Sequence, residues 1–222
     1  MGNFILQTPL QLGIINNCQP EIVKVLLDNN ADILEVDGEG NNVLHLAAKF
    51  ERIEILKIII NHQVFRQNFQ IINSFNFDGL TPLMLCCMSK WYEGASLFIN
   101  EGADVNLKDQ TSGRTSLFHA AEAHCDEIVK ILLDNRADPK IKNFFGTSPH
   151  DAMYELDEMP DIIKNLIFGK TKKRTFEAEM NPVRTAKAAR NLKTYSKLQR
   201  IELKNNVHPV SVPLRYPISE VK

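Results

Sequence analysis

The sequence predicts an all-α solenoid of about five stacked helical repeats, followed by a basic, partly helical C-terminal tail. Three observations predict it. A short motif recurs at a nearly constant period, an apolar block follows each copy after about a dozen residues, and a glycine precedes most copies. One unit of this kind cannot bury its apolar side alone, whereas stacked units share a continuous hydrophobic core.

The recurring motif begins near residues 8, 42, 81, 115 and 148, so the steps are 34, 39, 34 and 33 residues. Two copies read Thr-Pro-Leu, at Thr8-Pro9-Leu10 and at residues 81–83. Thr followed by Pro favours a helix start, because the hydroxyl can cap free N–H groups and proline lacks the N–H that would have no partner. The motif therefore predicts the first helix of each repeat.

The second block of each repeat has apolar residues at helical spacing, which predicts a second helix. Its clearest copies are residues 21–27, 54–60 and 127–133, and diverged copies lie at 93–99 and 161–167. A glycine stands two residues before each of the last four motif starts, where it suits a turn that needs positive φ. These glycines are Gly40, Gly79, Gly113 and Gly146.

A period near 33 with this helix pair is typical of ankyrin repeats. Within that class, the chain resembles the I-kappa-B ankyrin domain over about residues 6–168. The resemblance is carried by a connection in the first repeat, an insertion, and three later turns, at residues 16–21 (Asn-Asn-Cys-Gln-Pro-Glu), 62–73, 76–79 (Asn-Phe-Asp-Gly), 112–115 (Ser-Gly-Arg-Thr) and 146–149 (Gly-Thr-Ser-Pro).

The resemblance implies an inhibitor that binds Rel/NF-kappa-B dimers, as I-kappa-B and Cactus do; the same module forms the C-terminal half of Relish-type precursors. The match begins at what looks like the family's second repeat, and the sequence has neither an Asp-Ser-Gly-x-x-Ser phosphodegron nor an acidic C-terminal tail. We therefore expect a constitutive inhibitor, comparable to viral I-kappa-B mimics. Two alternatives stay open: a nuclear coregulator of the same family, and a generic ankyrin adaptor without a Rel partner.

Charge divides the chain into an ankyrin domain at residues 1–168, with a net charge of −10, and a tail at residues 169–222, with a net charge of +9. The acidic domain suits a basic protein partner such as a Rel homology domain dimer. In the tail, a helix near residues 183–204 could dock on the last repeat or pair with a partner. Nucleic-acid contact through the tail is expected to be weak, because aromatic residues are sparse there.

A basic cluster in the tail is a candidate nuclear localisation signal, with a solvated linker as its alternative. It consists of Lys170, Lys172, Lys173 and Arg174. We expect a cytoplasmic location, to which the signal could add a nuclear one.

The sequence favours no enzyme, cofactor, metal or small-molecule substrate. His119 and His124 are five residues apart and so lie on different helix faces. The resemblance places His45 and His119 where the family has helix histidines that bond turn backbone. The four cysteines have no zinc-site spacing, which favours buried thiols in a reducing compartment. No apolar run reaches the roughly 18–20 residues of a membrane span.

Partner binding is expected at the turn tips and on the first helices, with aromatic and arginine side chains as anchors. The candidates at the tips are Glu39, Asn41, Phe77, Asp78, Gln110, Arg114 and Phe145. Trp91 and Tyr92, between the two helices of the third repeat, are further candidates. For each aromatic residue, packing between repeats is the alternative.

Overall fold

All regular structure in the described part of the chain is helical. The computed structural model describes residues 7–155 and residue 165. Within residues 7–155 there is no strand, only an isolated bridge between Lys108 and Thr115. The helices are α1 (Pro9–Ile15), α2 (Pro20–Asp28), α3 (Val43–Lys49), α4 (Ile53–Asn61), α5 (Gln63–Gln67), a 3₁₀ helix (Phe69–Asn73), α6 (Pro82–Ser89), α7 (Tyr92–Asn100), α8 (Ser116–Glu122), α9 (Asp126–Asp134) and α10 (Pro149–Glu155).

The predicted all-α class is therefore confirmed. The second helix of the fifth repeat lies outside the described residues except for residue 165. The domain boundary at 168/169 and the tail with its helix near 183–204 also lie outside them.

The first helix of each repeat begins one residue after a motif start, and side-chain capping explains four of these starts. Thr8 Oγ1 accepts a hydrogen bond from Gln11 N at 3.2 Å, and Asn42 Oδ1 accepts one from Leu44 N at 2.9 Å. The Thr81 hydroxyl caps α6 in the same way. At the fifth repeat, Ser148 Oγ accepts a hydrogen bond from Asp151 N at 3.1 Å. These bonds satisfy amide groups that have no partner within the helix. Thr115 precedes α8 without capping it through its side chain.

The helices form two rows that share one core. In the inner row, α1, α3, α6, α8 and α10 pack one upon the next, and in the outer row α2, α4, α7 and α9 do the same. A leucine two residues after each of the first four motif starts is fully buried between the rows, at Leu10, Leu44, Leu83 and Leu117. Because each repeat contributes only two short helices, the core exists only through this stacking.

The insertion of the second repeat folds as α5 and the 3₁₀ helix. Phe65 of α5 is fully buried and packs edge-to-face with Phe69, with 5.8 Å between the ring centroids. Asn73 Oδ1 accepts a hydrogen bond from Asp104 N at 2.9 Å, and Arg66 lies 3.0 Å from Glu101. The insertion thus fastens the second repeat to the third.

The turn tips between successive repeats are joined by backbone hydrogen bonds. Phe77 N donates to Glu39 O at 3.0 Å, and Gln110 N donates to Gly79 O at 3.0 Å. Phe144 N donates to Ser112 O at 2.9 Å. The tips of repeats two to five therefore form a continuous edge of the stack.

Candidate partner-binding surface

This continuous edge, which we call the tip ridge, comprises residues 37–41, 76–80, 109–114 and 143–147. Each tip begins with an Asp or Asn whose side chain accepts backbone N–H groups of its own turn. Asp37 Oδ1 accepts from Glu39 N at 2.9 Å and from Asn41 N at 2.8 Å. Asn143 Oδ1 does the same for Phe145 N and Thr147 N. These bonds hold the tips in one conformation, so their exposed side chains are preorganised for binding.

The tip of the fourth repeat is held by an ionised carboxylate. Asp109 Oδ1 accepts from Gly113 N at 2.9 Å, and Oδ2 accepts from Ser112 Oγ at 2.7 Å. His119 Nε2 lies 3.0 Å from the same Oδ2. Burial by itself raises the pKa of Asp109, but the hydrogen bonds from His119 and Ser112 outweigh it and hold that pKa well below its usual range. His119 thus stabilises the tip through its contact with the side chain of Asp109, and not through the backbone of the turn.

His45 links the second repeat to the third through the backbone. Its Nε2 lies 3.0 Å from Leu80 O, and because a carbonyl can only accept, Nε2 carries the proton. Its Nδ1 then accepts from Asn42 N at 3.4 Å. Burial lowers the pKa of His45 to about 4, so the ring is neutral. Gln11, at the equivalent position of the first repeat, donates to Glu35 O at 3.1 Å.

Three exposed phenylalanines stand on the ridge: Phe77 is 74% exposed, Phe144 61% and Phe145 56%. The Phe77 ring covers Gly40, where a Cβ would lie 2.5 Å from the ring, and Phe144 covers Gly113 in the same way. The backbone of these glycines has positive φ and admits no side chain, so each aromatic ring is seated on the preceding tip. Exposed aromatic side chains on a rigid edge are typical of an interaction surface.

The structure brings five of the predicted residues to the exposed side of the ridge: Glu39, Phe77, Asp78, Gln110 and Phe145. Asn41 lies in the same ridge but is buried. Its Oδ1 accepts from Asn76 Nδ2 at 2.9 Å, so it joins two tips and presents no surface to a partner.

Arg114 is the last residue in the tip of the fourth repeat. Its Nη1 is 3.1 Å from Glu122 Oε2, and its guanidinium lies over the Phe118 ring, 5.2 Å from the centroid. Its side chain is only 18% exposed. Arg114 is therefore held against α8, and only a small part of it faces solvent.

Trp91 and Tyr92 lie away from the ridge. Trp91 is 7% exposed and packs on Gly94, where a Cβ would come within 2.0 Å of the indole ring. Packing thus accounts for Trp91. Tyr92 begins α7 in the outer row, beside Glu127 and Lys130 of α9. The cluster at residues 170–174 is outside the described residues.

Phe144 and Met88 are exposed large apolar residues that the sequence did not single out. Phe144 follows Asn143 as Phe77 follows Asn76, so aligning the tips would have found it. Met88 lies on the first helix of its repeat, seven residues after the motif start. The equivalent residues of repeats two and four are Lys49 and Glu122.

Among residues 7–155, no group of three or more histidine, cysteine or acidic side chains is arranged to hold a metal ion. None of the helices described for this chain combines the length and the apolar character that crossing a membrane requires.

Two family models match the chain, and both describe ankyrin repeats. The model for many copies matches residues 12–60, and the model for three copies matches residues 62–143. Together these matches cover more than half of the chain and extend from the first repeat into the tip that follows the fourth. This chain is an ankyrin-repeat protein.

Two relatives of this ankyrin-repeat protein indicate which group of ankyrin-repeat proteins it resembles. The nuclear factor NF-kappa-B p105 subunit of Gallus gallus is 35% identical over 150 residues, which are 67% of this chain and 15% of that protein. The NF-kappa-B inhibitor alpha of Sus scrofa is 32% identical over 107 residues, which are 48% of this chain and 34% of that protein. The ankyrin chain thus matches a minor part of the length of each relative.

A solved ankyrin structure agrees with these sequence matches. The crystal structure of the ankyrin repeat domain of Bcl-3, a member of the IkappaB protein family, superposes with a TM-score of 0.62 at 29% identity. The match covers 68% of this chain and 66% of that one. The ankyrin solenoid and the resemblance to the I-kappa-B group, both predicted from the sequence, are confirmed.

Proposed function

We propose that this protein is an I-kappa-B-like binding module that sequesters Rel/NF-kappa-B transcription factor dimers through its tip ridge, and that it catalyses no reaction. The observation that carries the proposal is the similarity of its sequence to those of the NF-kappa-B inhibitor alpha and the p105 subunit.

The geometry of the ridge supports a protein partner. Its exposed aromatic rings and fixed turns form an extended edge, whereas an enzyme would need a concave pocket with convergent polar groups. Phe77 stands near its centre and is 74% exposed, so a partner can bury a large apolar area there.

The charge of the domain supports a basic partner. Residues 1–168 have a net charge of −10, and Asp78 is exposed beside Phe77 on the ridge. Such a surface accelerates association with a basic segment, for instance the nuclear localisation segment of a Rel dimer.

Two aromatic substitutions on different faces test the proposal. We expect Phe77→Ala to weaken binding of a purified Rel homology domain dimer by about tenfold or more, because it removes an exposed anchor at the centre of the ridge. The matched control is Tyr92→Ala on the outer row, which should change the affinity by less than about twofold. Isothermal titration of both variants and of the unaltered chain gives the affinities.

Two results would count against the proposal in different ways. If the unaltered chain does not bind any Rel dimer, the proposed partner is wrong. If Tyr92→Ala weakens binding and Phe77→Ala does not, the partner is right but it binds the outer row.

The likeness to Bcl-3, together with the basic cluster at residues 170–174, supports a second candidate, a nuclear coregulator that binds the same dimers. The two candidates differ in the compartment in which the dimer is held. Imaging the chain with and without residues 170–174 separates them.

A further inference from the structure

Repeats two and four each place an ion pair between the tip and the first helix. In repeat two, Lys49 Nζ lies 2.5 Å from Glu39 Oε2. In repeat four, Arg114 Nη1 lies 3.1 Å from Glu122 Oε2, and the guanidinium stacks over Phe118. In both repeats, a cation from the chain itself neutralises a carboxylate on this side of the stack.

Repeat three has the carboxylate without the cation. Asp78 occupies the position of Glu39, and Met88, ten residues later, occupies the position of Lys49. Among residues 7–155, Asp78 takes part in no ion pair, and its side chain is exposed. Met88 is 49% exposed and apolar. The repeat that presents the most exposed aromatic residue of the ridge therefore also presents an uncompensated negative charge.

We propose that repeat three holds an open cation site, formed by Asp78, Phe77 and Met88, and that the protein partner fills it with a lysine or arginine side chain. The proposal rests on the proposed function, because it names the chemistry by which the ridge recognises its partner.

Each of the three residues has a role in such a site. Asp78 supplies the charge that a guanidinium or ammonium group pairs with. The exposed face of Phe77 attracts a cation through its quadrupole, as Phe118 does for Arg114 within this chain. Met88 offers apolar surface on which the aliphatic part of a lysine or arginine can lie. The combination of acid, aromatic ring and aliphatic surface suits a basic side chain better than an acidic or purely apolar one.

Substitutions at Met88 test whether the group that the partner places in this site is positively charged. Met88→Lys would supply within the chain the cation that repeat two has in Lys49, so binding of a Rel homology domain dimer with its basic segment should weaken by about tenfold. Met88→Glu should bind at least as tightly as the unaltered chain. Asp78→Asn should weaken binding by about tenfold at low salt, and the loss should shrink as salt is raised.

The outcomes distinguish this inference from the proposed function. If the unaltered chain binds the dimer and Met88→Lys and Met88→Glu weaken binding equally, the site takes an apolar group and the inference is wrong. It is equally wrong if neither Met88→Lys nor Asp78→Asn changes the affinity. If the unaltered chain does not bind, the proposed function fails first. Met88 and Asp78 are exposed, so thermal melts within a few degrees of the unaltered chain should show that all three variants fold.

Discussion

At the scale of single residues, His45 shows how strongly the stack constrains one side chain. It is fully buried, its Nε2–H bonds Leu80 of the next repeat, and burial lowers its pKa to about 4. In the unfolded chain a histidine has a pKa of about 6.5. Below that pH the unfolded state takes up a proton that the folded state accepts only near pH 4, so folding must become less favourable as the pH falls through this window.

We predict that the free energy of unfolding falls by about 2 kcal/mol between pH 7.5 and pH 5 through His45 alone. The control is His45→Gln, since glutamine at the equivalent position, Gln11, also donates to a backbone carbonyl and does not titrate. Urea unfolding at both pH values should show a smaller pH dependence in the variant by that amount. An equal dependence in both proteins would mean that His45 is not a buried neutral group.

The sequence could place residues in a tip, but it could not say which side chains face solvent. Asn41 and Glu39 are two residues apart in one turn, yet Asn41 is buried because it bonds Asn76, 35 residues away. Trp91 is buried because Gly94 leaves space for its ring. Burial at these positions depends on neighbours that no local pattern reveals.

At the scale of helices, the sequence predicts where the first helix of each repeat begins, because particular side chains favour a helix start. A capping Thr or Asn, often followed by proline, marks the beginning of the first helices. The insertion of repeat two was visible only as a long step between motifs. Its fold as α5 and a 3₁₀ helix follows from the burial of Phe65. The sequence alone does not specify which of its two phenylalanines is buried, and Phe69, four residues later, is 39% exposed.

We therefore predict that Phe65→Ala lowers the free energy of unfolding by about 3–5 kcal/mol, as expected when a fully buried phenylalanine leaves a cavity. Phe69→Ala is the matched control in the same insertion and should cost less than half as much, because its ring is partly solvated already. Denaturant melts of the two variants measure the difference. Similar losses for both would show that the insertion does not anchor through Phe65.

At the scale of the whole molecule, the candidate surface depends on the register of the stacked repeats. The tips of the four repeats are linked by hydrogen bonds, so their exposed residues form one surface although they are far apart in sequence. The sequence predicted the repeats and five of the exposed ridge residues. It missed Phe144, which an alignment of the tips would have found, and Met88, whose exposure on the first helix of its repeat no local pattern reveals.

The most direct test of this account is hydrogen–deuterium exchange of the chain with and without a bound Rel homology domain dimer. Binding through the ridge predicts increased protection at residues 37–41, 76–80, 109–114 and 143–147, with little change in the outer helices α2, α4, α7 and α9. Protection confined to the outer helices, or no protection under conditions where the dimer is bound, would contradict it.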